Sequence, residues 1–307
     1  MAEQSLTHAM RFARAYNSRL FLLQVLDVPE SAGARRSEEL DRRLLKIQAL
    51  GYLNSLAERV TGEGIKTECR VTEGRAPDQI MEFARDWRID LIVLCAYGWG
   101  GVSPFPFGGS VQKIIAAPET SVMVIRPFHG RPGGEQRYGR VLVPLDGSQR
   151  AAWAASVVSG MVKNEAPEIV LLQVVGLPEM PRTRPLTCEE EELRRKFVEC
   201  NRRAAAAYLE EIRIRFAASV PIRTRLEVSP HIVDTIDRVA EVENVDLIAL
   251  TAHGASGVVG RSSGTTCQSI VLSAPRPVLV LQDKPARYRE DSETRSSDWT
   301  ERKIHAL

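Results

Sequence analysis

Residues 89–98, IDLIVLCAYG, return almost unchanged as residues 245–254, VDLIALTAHG. Each stretch is a short apolar run that ends in glycine, which is typical of a buried strand followed by a turn. Asp90 matches Asp246 and Gly98 matches Gly254 at the same long offset. Such an offset indicates two copies of a domain rather than a solenoid, whose units run to about 20–50 residues.

Length and composition agree with two globular domains. The chain has 307 residues, of which 44% are hydrophobic and 26% charged, so it has enough apolar material for buried cores. A net charge of +2 gives no electrostatic footprint for DNA or RNA. No run of about 18 apolar residues and no signal-peptide pattern occurs, so we expect a cytoplasmic protein with no membrane partner.

The cysteines and histidines predict neither a disulfide framework nor a metal site. The five cysteines are scattered and include no C-x-x-C pair. Cys267 falls in the first turn of a predicted helix, and we expect it to be an inert thiol. Of the histidines only His253 lies beside a motif, where it is expected to shape the loop rather than to act in catalysis.

Four segments follow from the repeat and from local composition. We predict an N-terminal domain over residues 1–127, a Gly- and Pro-rich linker over 128–139, and a C-terminal domain over 140–283. Residues 284–307 form a polar tail with little to bury, which we expect to be mobile.

The second copy alternates strands with helices, which predicts a parallel sheet with right-handed crossovers. Ser148 is a predicted helix cap, and Thr187 with Glu190 forms a capping box for a long helix. We expect Leu193 and Phe197 on the apolar side of that helix. The five predicted strands cover residues 141–145, 168–175, 222–228, 246–251 and 277–282.

Residues suited to binding phosphates follow the first and fourth of these strands. Asp146 ends the first strand and could accept a hydrogen bond from a ribose hydroxyl or hold a metal on phosphates. Ligands of open parallel sheets bind outside the carboxyl ends of the strands, where both motifs fall. Each element alone is typical of an ordinary turn or cap, but the combination is more specific.

A glycine-rich loop follows the fourth strand and leads into a helix. Gly254 and Gly264 let the backbone approach phosphates closely, and successive N–H groups can form an anion cradle. Thr265 and Thr266 would open the next helix, whose N-terminus favours negative charge.

These motifs resemble those of the universal stress protein family, over nearly the whole chain from residue 1 to about 283. The match consists of VLVPLDGS at residues 141–148 and the family pattern G-x2-G-x9-G-[ST]. Gly254, Gly264 and Thr265 fit that spacing, whereas Thr251 stands at the first glycine position.

The resemblance implies an α/β fold: two tandem Rossmann-like open parallel sheets of strand order 3-2-1-4-5, flanked by helices. It also implies that many members bind ATP while others bind none. In binders the adenine contacts the backbone at the end of the second strand, here Val174, and Asp146 lies near the ribose and phosphates. Gly254, Gly264 and Thr265 would hold the phosphates, while Thr251 adds a side chain to that cradle.

The first copy departs from the family pattern. It begins with a helix near Glu3 and shows no counterpart of residues 141–147, so it lacks its own first strand and the acidic residue. Because strand one is central in the 3-2-1-4-5 order, we expect either a start further upstream or another segment in the gap. Cys95 replaces the first glycine, and the loop is one residue longer. We expect Trp99 and the phenylalanines of residues 104–107 to pack against a neighbouring domain.

We therefore predict a stress-response protein with an adenine-nucleotide site for ATP, with Mg²⁺, in the C-terminal domain and with little or no turnover. Two alternatives stay open: an interaction or scaffold module that binds no nucleotide, and a slow ATPase. The G-x4-G-K-[ST] and strand-one G-x-G-x-x-G motifs of other nucleotide enzymes do not occur. The family's pairing mode predicts that the last strands, residues 121–126 and 277–282, pair within the chain. A homo-oligomer stays open, and we predict no catalytic residue and no nucleic-acid partner.

Overall fold

The computed structural model divides into two compact units. The described residues up to 126, together with 303–306, form the N-terminal unit, and residues 138–254 and 264–282 belong to the C-terminal unit. Among the described residues, every helix is too short or too polar to span a lipid bilayer. The structure describes residues 3–27, 36–96, 109–116, 120–126, 138–162, 168–178, 185–216, 220–254, 264–282 and 303–306.

Both units alternate helices and strands. The N-terminal unit contains α1 (Glu3–Ala15), β1 (Arg19–Leu26), α2 (Arg36–Gly62), β2 (Thr67–Glu73), α3 (Ala76–Asp86), β3 (Leu91–Cys95), α4 (Gly109–Ala116) and β4 (Ser121–Ile125). The C-terminal unit contains β5 (Arg140–Leu145), α5 (Gln149–Val162), β6 (Glu168–Val175), α6 (Cys188–Phe216), β7 (Ile222–Val228), α7 (Ile232–Val242), β8 (Leu247–Thr251), α8 (Thr265–Ser273) and β9 (Val278–Leu281). The last strand along the chain, β10 (Lys303–Ala306), lies in the N-terminal unit.

The sheet of the C-terminal unit has the strand order β7-β6-β5-β8-β9, and its pairs are parallel. This is the predicted 3-2-1-4-5 order, with β5 in the centre. The apolar run Val141–Val143 becomes the central strand because helices cover both faces, and its three side chains are fully buried. The carboxyl ends of β5 and β8 therefore meet at one edge of the sheet.

The N-terminal unit has the same five-stranded arrangement, but its central strand comes from a distant part of the sequence. Its order is β2-β1-β10-β3-β4, so β10 occupies the central position and runs parallel to both neighbours. Of the two arrangements that the sequence left open, the structure has the one in which another segment fills the gap. The expectation of a mobile tail over residues 284–307 was wrong for Lys303–Ala306, because the backbone of these residues supplies hydrogen bonds that β1 and β3 need.

The structure contains the two helix-capping motifs that the sequence predicts. Ser148 Oγ accepts a hydrogen bond of 3.1 Å from the Ala151 N–H, which confirms the predicted cap. The capping box is also present: Thr187 N–H donates to Glu190 Oε2 at 2.8 Å, and Glu190 N–H donates to Thr187 Oγ1 at 3.3 Å.

The predicted apolar side of α6 was wrong in its first half. Leu193 is 69% exposed and Phe197 54% exposed, whereas Leu209 and Ile212 are buried. The cause is length: α6 has 29 residues, about 44 Å of helix, while strands of seven or eight residues span only about 25 Å. The helix therefore extends beyond the sheet that its second half covers.

An ion-pair network ties together the amino ends of the strands of the C-terminal unit. The Glu243 side chain is only 4% exposed, and its carboxylate accepts hydrogen bonds from Arg225 Nε at 2.6 Å and Arg223 Nη1 at 3.4 Å. Arg140, at the start of β5, contacts Glu243 and also pairs with Glu168 of β6 at 2.7 Å. One buried carboxylate thus joins β5, β7 and the end of α7, and Glu168 adds β6.

Removing the Glu243 carboxylate is expected to destabilise the C-terminal unit. Glu243→Ala should lower the free energy of unfolding by about 2–3 kcal/mol, because three arginines lose their shared anion but stay partly hydrated. The matched control is Glu227→Ala, which breaks the exposed pair with Arg238 and should cost less than about 1 kcal/mol. Urea unfolding of both variants measures the difference, and equal losses would contradict the role given to Glu243.

His8 should make the N-terminal unit sensitive to acid. It is 3% exposed within α1, and burial, followed by the nearby charge of Arg11, lowers its pKa from 6.5 to about 4. The folded state favours the neutral His8 imidazole over the protonated one. The free energy of unfolding therefore keeps its full value above pH 6.5 and declines as the pH falls toward 4. The loss should reach about 3 kcal/mol, and His8→Gln should flatten this dependence while the exposed control His231→Gln leaves it unchanged. Urea unfolding at a series of pH values tests this.

Candidate functional site

The first part of the candidate site is the turn between β5 and α5 in the C-terminal unit. Asp146 is exposed directly after the central strand, and its Oδ1 accepts a hydrogen bond of 3.0 Å from the Ser148 N–H. Gly147, between them, has a φ of +84°, a conformation that a side chain would strain. The turn therefore holds the Asp146 carboxylate at the carboxyl edge of the sheet, in contact with solvent.

The loop after β8 approaches this carboxylate closely. A Cβ atom placed on Gly254 would lie 2.5 Å from Asp146 Oδ2, so a side chain here would displace the carboxylate. Arg150, in the first turn of α5, donates from Nη1 to the Gly254 carbonyl oxygen at 3.4 Å. The structure thus brings together Asp146 and Gly254, which are far apart in sequence, and adds a cation beside them.

The N-terminus of α8 lies next to the same loop. Gly264 is the N-cap residue of α8, and its N–H donates to the Ala252 carbonyl oxygen at 2.8 Å. Thr265 and Thr266 are the first two residues of the helix and are exposed. The first N–H groups of a helix have no partner within it and carry the positive end of the helix dipole, so this end favours an anion.

Thr251 stands where the family pattern has its first glycine, and its hydroxyl is used inside the loop. Thr251 Oγ1 donates a hydrogen bond of 2.9 Å to the His253 carbonyl oxygen. Thr251 is half-buried and His253 is 4% exposed, so both residues help to fix the loop between β8 and Gly254.

Val174 lies near the end of β6, the strand beside β5. It is half-buried, and in the sheet register it pairs with Glu227 of β7. Its neighbour Gln173 pairs with Leu145, the last residue of β5, so Val174 belongs to the same edge of the sheet as Asp146.

Two residues at this edge, Tyr208 and Arg150, were not predicted from the sequence as part of the site. Tyr208, on α6, donates from its hydroxyl to the Ser148 carbonyl oxygen at 2.9 Å. Burial raises the pKa of Tyr208 to about 12, and the negative charges of Asp146 and Glu211 add to the effect. The sequence near Tyr208 carries no signal for this contact, because the turn that accepts its hydrogen bond lies 60 residues away.

Among the residues that the structure describes, the cysteine thiols and the first-copy loop add no further residues to the candidate site. Burial raises the pKa of the Cys267 thiol to about 12, in agreement with an inert group. Cys95, at the end of β3, also has its pKa raised by burial. The expected loop of the first copy, including Gly98, Trp99 and residues 104–107, lies outside the described residues. Within the described part, no group of three or more His, Cys, Asp or Glu side chains could hold a metal ion.

An open parallel sheet flanked by helices defines a Rossmann-like α/β domain, and this chain carries two such sheets in tandem. The model of the universal stress protein family matches residues 1–126 and again residues 137–282. The chain therefore belongs to the universal stress protein family.

Individual relatives agree with this assignment. A universal stress protein of Methanocaldococcus jannaschii is 27% identical over 121 residues, which cover 39% of this chain and 71% of the relative. A universal stress protein of Archaeoglobus fulgidus has the same fold, with a TM-score of 0.64, 17% identity, and coverage of 91% of this chain and 92% of that chain. A putative universal stress protein of Pseudomonas aeruginosa gives a TM-score of 0.55 at 14% identity, covering 93% of this chain and 100% of that chain.

Tyr208→Phe is expected to weaken the support of the β5–α5 turn. The variant keeps the half-buried ring but removes one of two donors to the Ser148 carbonyl oxygen, which keeps its hydrogen bond from the Ala152 N–H at 3.2 Å. The loss should lower the free energy of unfolding by about 1 kcal/mol. Tyr52→Phe is the matched control, since its hydroxyl bonds to Glu3 in an exposed position. Thermal unfolding of both variants should show a larger shift for Tyr208→Phe, and a larger shift for Tyr52→Phe would contradict this assignment.

Proposed function

We propose that this universal stress protein binds an adenine nucleotide, ATP with Mg²⁺, in its C-terminal unit and acts in a stress response with little or no turnover. The observation that supports this most is the close approach of the Gly254 backbone to the Asp146 carboxylate beside the start of α8. A carboxylate, a glycine-rich loop and a helix N-terminus meet at the carboxyl edge of the sheet, where open α/β sheets bind ligands.

In this proposal the ribose and phosphates of the nucleotide lie between the β5–α5 turn and the loop that joins β8 to α8. Asp146 is exposed and accepts a hydrogen bond from a ribose hydroxyl or helps to hold Mg²⁺ on the phosphates. Arg150, within reach of the Gly254 carbonyl oxygen, supplies positive charge for the phosphates.

The phosphates would be held by backbone N–H groups of the loop and of the α8 N-terminus. Gly254 and Gly264 allow close approach, and the exposed hydroxyls of Thr265 and Thr266 can donate to phosphate oxygens. Thr251 is compatible with this cradle because its hydroxyl already bonds to the His253 carbonyl oxygen. The adenine would contact the backbone near Val174, one strand further along the sheet.

In this proposal the bound nucleotide acts as a ligand with little or no turnover. Tyr208 has a pKa of about 12, so it stays protonated at neutral pH and does not take a proton from an attacking water. The pairing of the two last strands and a homo-oligomer remain predictions.

Calorimetric titration of ATP, ADP and AMP, with and without Mg²⁺, tests the site. We expect the wild type to bind ATP and Asp146→Asn to bind it about tenfold more weakly or worse, because the carboxylate charge is lost at nearly constant shape. Gly254→Ala should also weaken binding, since the new methyl group displaces the carboxylate, while the melting temperature changes little.

The control variant is Gly51→Ala in α2, where an added Cβ meets open space. It should leave the affinity unchanged. Absence of heat with every nucleotide would favour the interaction module, and full affinity in Asp146→Asn and Gly254→Ala would show that the site lies elsewhere. Sustained phosphate release by the wild type would instead support the slow ATPase.

A further inference from the structure

The central position of the N-terminal sheet is filled from the far end of the chain. Within β1, residues Leu20–Leu23 are at most 3% exposed, and Ile92 and Val93 of β3 are fully buried. β10 lies between these strands, with Leu20 opposite Ile304 on one side and Leu91 opposite Ile304 on the other. Both neighbours have backbone groups that only a strand in this slot can pair.

The surroundings of β10 match those of β5 in the C-terminal unit. There, α5 packs against β5 and β8, the central strand and its neighbour. In the N-terminal unit, α1 packs in the same way against β10 and β3. The slot is therefore bounded by two parallel strands and covered by a helix whose buried face includes Leu6, Ala9 and Phe12.

The two walls of the slot are fixed by contacts that do not involve β10. Phe21 of β1 packs on Phe83 at 5.7 Å and on Trp87 at 5.3 Å between ring centroids, which fastens β1 to α3 and the turn after it. β1 also pairs with β2 over seven residues, and β3 pairs with β4 over five. By contrast β10 contributes four residues, fewer than any other strand of this sheet.

We propose that the slot between β1 and β3 is an acceptor site for an extended peptide, and that the chain's own Lys303–Ala306 is its ligand. Recognition comes from main-chain hydrogen bonds to both walls, in parallel register, as in other cases of strand addition. Residues 283–302 tether the ligand to the chain, which raises its local concentration and favours binding within the same molecule. Completion of the N-terminal sheet therefore depends on Lys303–Ala306.

Cysteine cross-linking in the full-length chain tests register and origin together. Leu22 lies opposite Ala306, and paired residues of adjacent strands are roughly 5 Å apart, within the range for a disulfide. Leu22→Cys with Ala306→Cys, in a chain whose five native cysteines are replaced by alanine, should oxidise to a cross-linked monomer. Leu22→Cys with Ile304→Cys, two residues out of register, should cross-link much less.

The other outcomes overturn the proposal. A cross-linked dimer would mean that the segment comes from a second copy, and equal yields for the two cysteine pairs would refute the register. Failure of the matched pair to cross-link would place β10 outside the slot.

A binding measurement provides an independent test of the acceptor site. In a chain shortened to residue 302, amide protons of β1 and β3 should exchange with solvent roughly tenfold faster or more, while those of β6 and β8 stay unchanged. A synthetic peptide of residues 298–307 should restore the protection, and the same peptide with Ile304→Pro should not, because proline cannot donate to the ladder. If the shortened chain fails to fold, full-length Ile304→Pro allows the same comparison. Unchanged exchange in β1 and β3 would overturn the proposal.

Discussion

The constraint on which the rest of this structure depends is that a central strand of a parallel sheet must be paired on both sides. Backbone N–H and C=O groups buried between two covering layers have no water to bond, so an unfilled position costs several hydrogen bonds. In the C-terminal unit β5 meets this requirement from the start of the repeat. In the N-terminal unit Lys303–Ala306 meets it instead, and the two sheets have the same order although their chains run differently.

β10 completes the sheet of the N-terminal unit but does not give the described part of that unit a counterpart of the Asp146 turn. In the C-terminal unit the central strand leads directly through Asp146 and Gly147 into α5, so the strand, the acidic turn and the covering helix form one continuous piece. In the N-terminal unit the corresponding strand β10 and helix α1 are not consecutive in sequence. The described structure therefore has the sheet of a Rossmann-like domain in both units, but the strand–turn–helix connection with its carboxylate only in the C-terminal one. This difference agrees with the proposal that the ligand binds in the C-terminal unit.

Short-range patterns made most of the fold predictable. The Thr187 and Glu190 pair, the Ser148 cap and the buried runs of the C-terminal strands are signals carried by neighbouring residues, and the structure contains them as expected. Apart from the exposed first half of α6, the failures concern partners that are distant in sequence. β10 is only four residues long, too short to show the alternation of apolar and polar residues that predicts a strand. It is a strand because its backbone pairs with β1 and β3. The contact of Tyr208 with the β5–α5 turn was missed for the same reason, because it depends on how α6 packs on the sheet.

The two edges of the C-terminal sheet have different physical roles. At the amino edge the Glu243 carboxylate is buried and satisfied by arginines from β5 and β7, so its charge stabilises the sheet and is not available to a ligand. At the carboxyl edge Asp146 is exposed, and the left-handed turn at Gly147 holds it there. Glycine adopts this turn without strain, and the hydrated Asp146 carboxylate accepts the Ser148 N–H, so the turn is stable without help from the ion pairs at the opposite edge. Because the strands are parallel, these edges lie at opposite ends of the same strands, so ion pairs hold the sheet at one end while the Asp146 carboxylate stays exposed at the other.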